Sequence, residues 1–192
     1  TDTSWYGLYQ GDFASRLKGK KVLELGCGDG INSLIMAALG AQVIANDISP
    51  VSRKCIRDAA LELGLDNIQT VSGLIDELAF NENSFDFVIG KAFLHHLTHE
   101  MENVVLFQTS KMLKPDGEVR FFEPAVNSQF LDILRWITPV PGRPSLLAKS
   151  AFKRWRDSDP HPQRDNSSDH FIRLGQQYFH DVEIYPVGSI ER

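Results

Sequence analysis

The strongest chemical signal in the chain is Glu24-Leu25-Gly26-Cys27-Gly28-Asp29-Gly30, preceded by the apolar pair Val22-Leu23. Glycines at such a turn let the backbone bend tightly and approach a ligand with no Cβ in the way. The spacing is Gly-x-Gly-x-Gly, not the Gly-x-Gly-x-x-Gly that sets a pyrophosphate on a helix N-terminus. Glu24 and Asp29 flank the loop, and their charge suits a cationic ligand better than a pyrophosphate. Asp47 closes Val43-Ile44-Ala45-Asn46-Asp47, about one helix and one strand later. A carboxylate in that place accepts hydrogen bonds from both ribose hydroxyls of a nucleoside. The bland alternative is a cap on the following turn, a role for which Ser49 is also available.

Further along, Lys91 is followed by Ala92-Phe93-Leu94-His95-His96-Leu97. A histidine at the ligand-facing end of a strand can accept or orient an acceptor proton. Packing or capping is the competing reading for His95 and His96. Adjacent rings do not readily share one metal, and no carboxylate–histidine array is visible, so no metal site is expected. Glu123 is either an acceptor-pocket carboxylate or a structural one. Trp5, Tyr6 and Tyr9 either pack or close over a ligand.

These residues must be positioned by regular elements. Residues 21–25 read as a buried strand, and 31–39 as a helix with Ile31, Leu34, Ile35, Ala38 and Leu39 on its apolar stripe, closed by Gly40. Residues 42–45 form a second strand. Ser49-Pro50 opens a helix with Val51, Cys55, Ala59 and Leu63 on one face. Strands at 68–71 and 85–89, a helix at 100–112 ended by Lys114-Pro115-Asp116-Gly117, and a strand at 118–122 follow. Asn127 is expected to cap a helix that turns Phe130, Ile133, Leu134 and Ile137 inward. Short helices are read at 148–156 and near 171–179, and a last strand at 181–187. This alternation predicts βαβ units: an α/β, doubly wound, Rossmann-like, mostly parallel sheet with helices on both faces.

Composition narrows the function. With 192 residues, a second independent domain would leave both halves small, so a single domain over 1–192 is expected. A formal charge of −5 lacks the basic footprint of phosphate-backbone binding, which disfavours nucleic acid as partner. Cys27 and Cys55 have neither metal-ligand spacing nor a disulfide framework, which fits a reducing, cytoplasmic setting. No apolar run approaches a membrane span.

Four stretches stand in the order and at the intervals of class I S-adenosylmethionine (SAM)-dependent methyltransferases: residues 24–30, Asp47-Ile48-Ser49, Ser84-Phe85-Asp86-Phe87-Val88-Ile89 and Leu113-Lys114-Pro115-Asp116-Gly117. The chain resembles the branch that includes quinone-biosynthesis and many small-molecule methyltransferases, over residues 19–123. The resemblance implies that Gly26, Cys27, Gly28 and Gly30 line the methionine part of SAM, with Glu24 near its amino group. It implies that Asp47 holds the ribose and Ile48 packs on adenine. The positions usually contacting the adenine edge are Leu74 and Ile75, where the family often has an acidic residue; Leu74 offers backbone only. Lys91 falls where backbone nears the sulfonium.

The implied activity is direct displacement of the methyl group from SAM onto a small, partly apolar acceptor, leaving S-adenosylhomocysteine (SAH). The alternatives are a SAM-binding regulatory or scaffold domain, and a nucleotide-dependent oxidoreductase, which the glycine spacing disfavours. Members of this class end in a sixth strand and an antiparallel seventh. Residues 181–187 would supply the sixth, and residues 188–192 are too few for the seventh, so the sheet is expected to lack it. Residues 139–170, proline-punctuated and chemically mixed, are the expected acceptor-side insert. Phe152 and Trp155 offer stacking, Lys153, Arg154 and Arg156 positive charge, and His161 and His170 polar contacts.

Overall fold

Val22, Leu23, Glu24 and Leu25 are all buried, which demands cover on both faces and both edges of their strand. The computed structural model describes residues 3–158 and 165–187. In chain order these form α1 (Thr3–Leu8), α2 (Phe13–Arg16), β1 (Lys21–Leu25), α3 (Ile31–Ala38), β2 (Gln42–Asp47), α4 (Pro50–Glu62) and β3 (Ile68–Ser72). There follow β4 (Phe85–Lys91), a 3-10 turn at Leu94–His96, α5 (His99–Met112), β5 (Leu113–Phe122), α6 (Gln129–Ile137), α7 (Lys149–Asp157) and α8 (Ser168–Gly175). Among the described residues the sheet has five strands in the order β3-β2-β1-β4-β5, every pair parallel. The chain reverses direction across the sheet beside β1, the place where open α/β sheets bind ligands.

Alternation along β1 divides the core. Val22 joins Leu8, Phe13, Met36 and Phe87 on one face, while Leu23 and Leu25 join Phe85, Val88, Val105 and Met112 on the other. The β4–β5 register runs Phe85↔Leu113 and then Phe87↔Glu118, so Lys114-Pro115-Asp116-Gly117 bulges out of β5. Asp86 fastens this corner by accepting from Lys21 N at 2.9 Å and pairing with Lys114 Nζ at 2.9 Å.

Several expected faces are corrected. In α3 the buried residues are Asn32, Ser33, Met36 and Ala37, while Ile31, Ile35 and Leu39 are exposed. The helix is turned by its polar pair, whose partner is Glu24. In α4 the buried residues are Ile56 and Ala60, and Val51, Cys55 and Leu63 face outward. Ile56 has displaced that stripe because it fills the space over Gly30. The Asn127 side chain donates to Ser168 Oγ and accepts from Ser168 N, both at 2.8 Å, and so braces the start of α8. Phe130, Ile133 and Leu134 of α6 are exposed, and Ile137 is half-buried.

Residues 181–187 form no strand. Side-chain packing holds them instead: Val182 lies against Gly175 of α8, and Val187 against Gly7 of α1. Residues 188–192, on which the expected missing seventh strand turned, lie outside the described residues.

Gly30 begins α3 at φ +77°, and a Cβ there would lie 2.1 Å from Ile56 Cγ1. Gly30→Ala therefore combines left-handed strain with overpacking, and a loss of about 2 kcal/mol or more is expected in denaturant unfolding. Gly64→Ala, at φ +68° with open space around it, should cost less.

Candidate functional site

A carboxylate buried in the middle of a sheet must be supplied with donors, and this requirement organises the site. Glu24 is 2% exposed. Asn32 Nδ2 donates to its Oε1 at 2.7 Å, and the Ser33 hydroxyl donates to Oε2. Tyr9, just past α1, donates its hydroxyl to Asn32 Oδ1 at 2.6 Å and extends the chain of bonds towards the N-terminal helix. Burial pushes the Glu24 carboxyl up to about 7, against the opposing pull of Ser33, Asn32 and Lys91. Burial and the Glu24 charge hold the Tyr9 hydroxyl above its ordinary range. Burial does the same to the Cys27 thiol, which stays protonated.

The loop after β1 turns through Gly26, Gly28 and Gly30, all at positive φ. Gly30 N donates to Cys27 O at 2.8 Å, and Cys27 N to Asn46 O at 3.0 Å. A Cβ at Gly26 would meet the Phe93 ring at 2.4 Å, whereas one at Gly28 would meet nothing within 4 Å. Gly26 and Gly30 thus make room for packing, and Gly28 presents bare backbone to open space. Asp47 braces this backbone: Oδ2 accepts from Gly28 N and Oδ1 from Ser49 N, both at 2.8 Å. The Ser49 side chain makes no cap bond, so Asp47 itself holds the start of the following turn. Each Asp47 oxygen has a second lone pair, which leaves acceptor capacity for a ligand hydroxyl.

A cleft of about 400 Å³ opens at the ligand-facing ends of β1 and β4, lined among others by Trp5, Glu24, Gly26, Gly28, Lys91 and Ala92. Its size falls in the range of small-ligand pockets. The Lys91 ammonium lies 4.1 Å from the centre of the Trp5 ring, a cation–π contact inside the cleft wall. Ala92, directly after β4, is held at φ +53°, with its N donating to Phe122 O at 2.7 Å. A non-glycine residue in that region is strained, and such strain concentrates at functional sites.

The adenine-side candidates are placed unevenly. Ile48 is exposed and offers an apolar face beside Asp47. Leu74 is also exposed, but its N donates to Glu77 Oε2 at 3.3 Å and its O accepts from Glu77 N at 3.0 Å. Ile75 is buried in the core. His95 and His96 lie in the 3-10 turn, outside the lining of the cleft. Their ring centroids are 4.1 Å apart and the rings are tilted by 38°, so the two imidazoles lie side by side. Glu123 holds this turn: one oxygen accepts from Phe93 N and Leu94 N at 2.8 and 2.7 Å, and the other from His95 Nδ1 at 2.8 Å.

The acceptor-side candidates also find partners. Trp136, Phe152 and Trp155 pack on one another, with centroids 5.5–5.8 Å apart, and Arg143 and Arg156 lie over Trp136. Phe152 is thereby buried rather than presented, while Lys153, Arg154 and Arg156 are exposed. His161 lies outside the described residues. His170 joins His99 around buried Glu102, an array that only the His99/Glu102 spacing in α5 foreshadowed. Asn32, Ser33 and Ala92 carried no motif signal, although Asn32 and Ser33 are the polar interruptions in an otherwise apolar helix.

With this geometry in place, residues 22–117 match the Methyltransferase domain family. The chain belongs to that family. Among relatives of this methyltransferase-domain chain, the ubiquinone biosynthesis O-methyltransferase of Xanthomonas euvesicatoria pv. vesicatoria (strain 85-10) is 36% identical over 103 residues, covering 54% of this chain and 42% of that protein. The chain spans about half the length, or less, of the curated relatives it matches. The crystal structure of the YcgJ protein from Bacillus subtilis superposes at TM-score 0.62, with 17% identity, over 83% of this chain and 61% of that one. Coclaurine N-methyltransferase, solved with N-methylheliamine and SAH, superposes at TM-score 0.53, with 23% identity, over 59% of this chain and 33% of that one. These likenesses establish the Rossmann-like methyltransferase fold. Among the described residues, no helix is long and apolar enough to cross a membrane.

Because burial raises Glu24 in the folded chain, its contribution to stability is full below its ordinary value of 4.5 and is lost as pH rises to about 7. Unfolding measured across that window should show a decline that Glu24→Gln removes. An identical pH profile in a folded Glu24→Gln variant would exclude Glu24 as its source.

Proposed function

We propose that this chain binds SAM in the β1–β4 cleft and transfers its methyl group to a small-molecule acceptor. The observation that carries the reading is the pairing, in one cleft, of a buried carboxylate, Glu24, with the bare Gly28 backbone, whose N–H the neighbouring Asp47 carboxylate holds. The residues fit the ligand. Glu24 and Asp29 supply negative charge for a cation, Gly28 offers room for close backbone approach, and Asp47 offers acceptor lone pairs for ribose hydroxyls. Exposed Ile48 supplies an apolar face for adenine. The Trp5 ring holds the Lys91 ammonium, which offsets its repulsion towards a positively charged ligand.

Bound SAM would bring a methyl group already activated by positive sulfur, so the chain's own task is positioning and exclusion of water. Relatives named as O-methyltransferases support an acceptor hydroxyl. A hydroxyl must lose its proton as the new bond forms. The Glu123 carboxylate lies 2.8 Å from His95 Nδ1 and orients that ring. His95 is the proposed proton acceptor, with Glu123 and the adjoining His96 ring positioning it. Residues 139–170 are the proposed acceptor side, through charged and polar groups more than through the aromatic trio, which is spent on packing.

Calorimetry with SAH tests the cofactor half. Asp47→Ala should weaken SAH by about 1.5–3 kcal/mol, the value of a charge-assisted hydrogen-bonding partner. Unchanged affinity in a folded variant would remove Asp47 from the site. A methyl-transfer screen against metabolite pools, read as the mass increment of one methyl, tests turnover; SAH binding without any methylated product would favour the regulatory alternative. For a hydroxyl acceptor found in that screen, His95→Ala should lower kcat by about 100-fold or more while SAH affinity is kept. Full turnover in that variant would leave His95 structural.

A further inference from the structure

From the geometry we infer that His99, Glu102 and His170 form a binding site for one divalent transition ion of the zinc class, which staples α8 to α5. Glu102 lies in the first turn of α5 with a side chain 0% exposed. Its Oε2 is 3.3 Å from His99 Nδ1 and 2.9 Å from His170 Nε2. The three donor atoms all lie within 4.8 Å of one another, and the two imidazole rings are 4.8 Å apart at their centroids. Bonds of about 2.0–2.2 Å to nitrogen and oxygen give a tetrahedral site donor–donor edges of about 3.3 Å. One measured edge equals that value, the other is shorter, and the third, between the two imidazole nitrogens, is no longer than 4.8 Å, so the donors close around an ion by side-chain shifts alone.

The chemistry of the donors selects the ion. Two imidazoles and one carboxylate suit zinc, cobalt, nickel or iron better than the oxygen-seeking magnesium or calcium. The donors are also held in advance. His99 and Glu102 share one helix face by their i, i+3 spacing, and Thr98 caps that helix through Met101 N. His170 is fixed by the start of α8, where Ser167 accepts from His170 N at 3.1 Å and Asn127 grips Ser168 at both its N and its hydroxyl. The His99 side chain is half exposed, which gives an ion a route from solvent. An ion here would tie the end of the 139–170 connection to the helix that follows His95 and His96.

The experiment uses the untagged full chain, stripped with chelator and titrated with Co²⁺ alone, then with Zn²⁺ as competitor. The expected result is one Co²⁺ per chain with a visible d–d spectrum, displaced by one Zn²⁺, and slower hydrogen exchange in residues 168–175. His99→Ala should weaken Co²⁺ by at least the ~10–100-fold that loss of an outer-shell partner costs, and His170→Ala likewise. His180→Ala, at an exposed position, should leave binding unchanged. His99→Ala decides the matter alone if His170→Ala fails to fold. Absence of Co²⁺ binding, or binding that survives His99→Ala in a folded chain, overturns the site. The readout is metal binding, so it stands apart from any test of methyl transfer.

Discussion

The burial of Glu24 in the central strand is the constraint on which the rest of the site depends. A carboxylate 2% exposed needs donors on both oxygens, and the nearest element able to provide them is the helix that follows the glycine loop. Asn32 and Ser33 therefore point inward, and the apolar residues Ile31, Ile35 and Leu39 are left outside. Turning α3 this way presents Asn32 Oδ1 to Tyr9, which draws the start of the chain against the cleft. Trp5 then forms part of the wall and holds Lys91. One buried charge thus sets the rotation of a helix, the path of the N-terminal segment and the charge balance of the cleft.

The glycine loop obeys a second constraint, that of space. Gly26 yields to Phe93, and Gly30 yields to Ile56, so two elements distant in sequence press on the loop from either side. Between them Gly28 is unencumbered and is tied to Asp47 through its N–H. The arrangement pre-forms a concave backbone surface without waiting for a ligand to shape it, which spares part of the ordering cost of binding.

The proposed acceptor side is built differently. The 3-10 turn after β4 is clamped by one nearly buried carboxylate, Glu123, which accepts from successive backbone N–H groups and from His95. Three aromatic residues after Glu123 serve each other: Trp136, Phe152 and Trp155 make a small core of their own between α6 and α7. What is presented towards solvent there is mixed: the cationic Lys153, Arg154 and Arg156 of α7, and the apolar Phe130, Ile133 and Leu134 of α6 with Leu147 before α7.

The sequence by itself determined the order of elements, the parallel sheet and the loop chemistry, because these rest on local rules. An apolar run of strand length, glycines at a turn, and a proline at a helix start each act within a few residues. The bounds of β1 and the glycine turn were legible for that reason, as was the position of Asp47 at the end of β2. Which face each helix buries was decided only by tertiary structure. In α3 the polar demand of Glu24 outweighed the apolar stripe, and in α4 the bulk of Ile56 over Gly30 took precedence over Val51 and Leu63. Residues 181–187 have strand-like composition, yet packing of Val182 and Val187 against helices took the place of ladder bonds. The meeting of His170 with His99 and Glu102 joins positions far apart in the chain, and the local His99/Glu102 spacing encodes only half of it. Long-range partners, through buried charge and excluded volume, set orientation; short-range propensity and spacing set only what there was to orient.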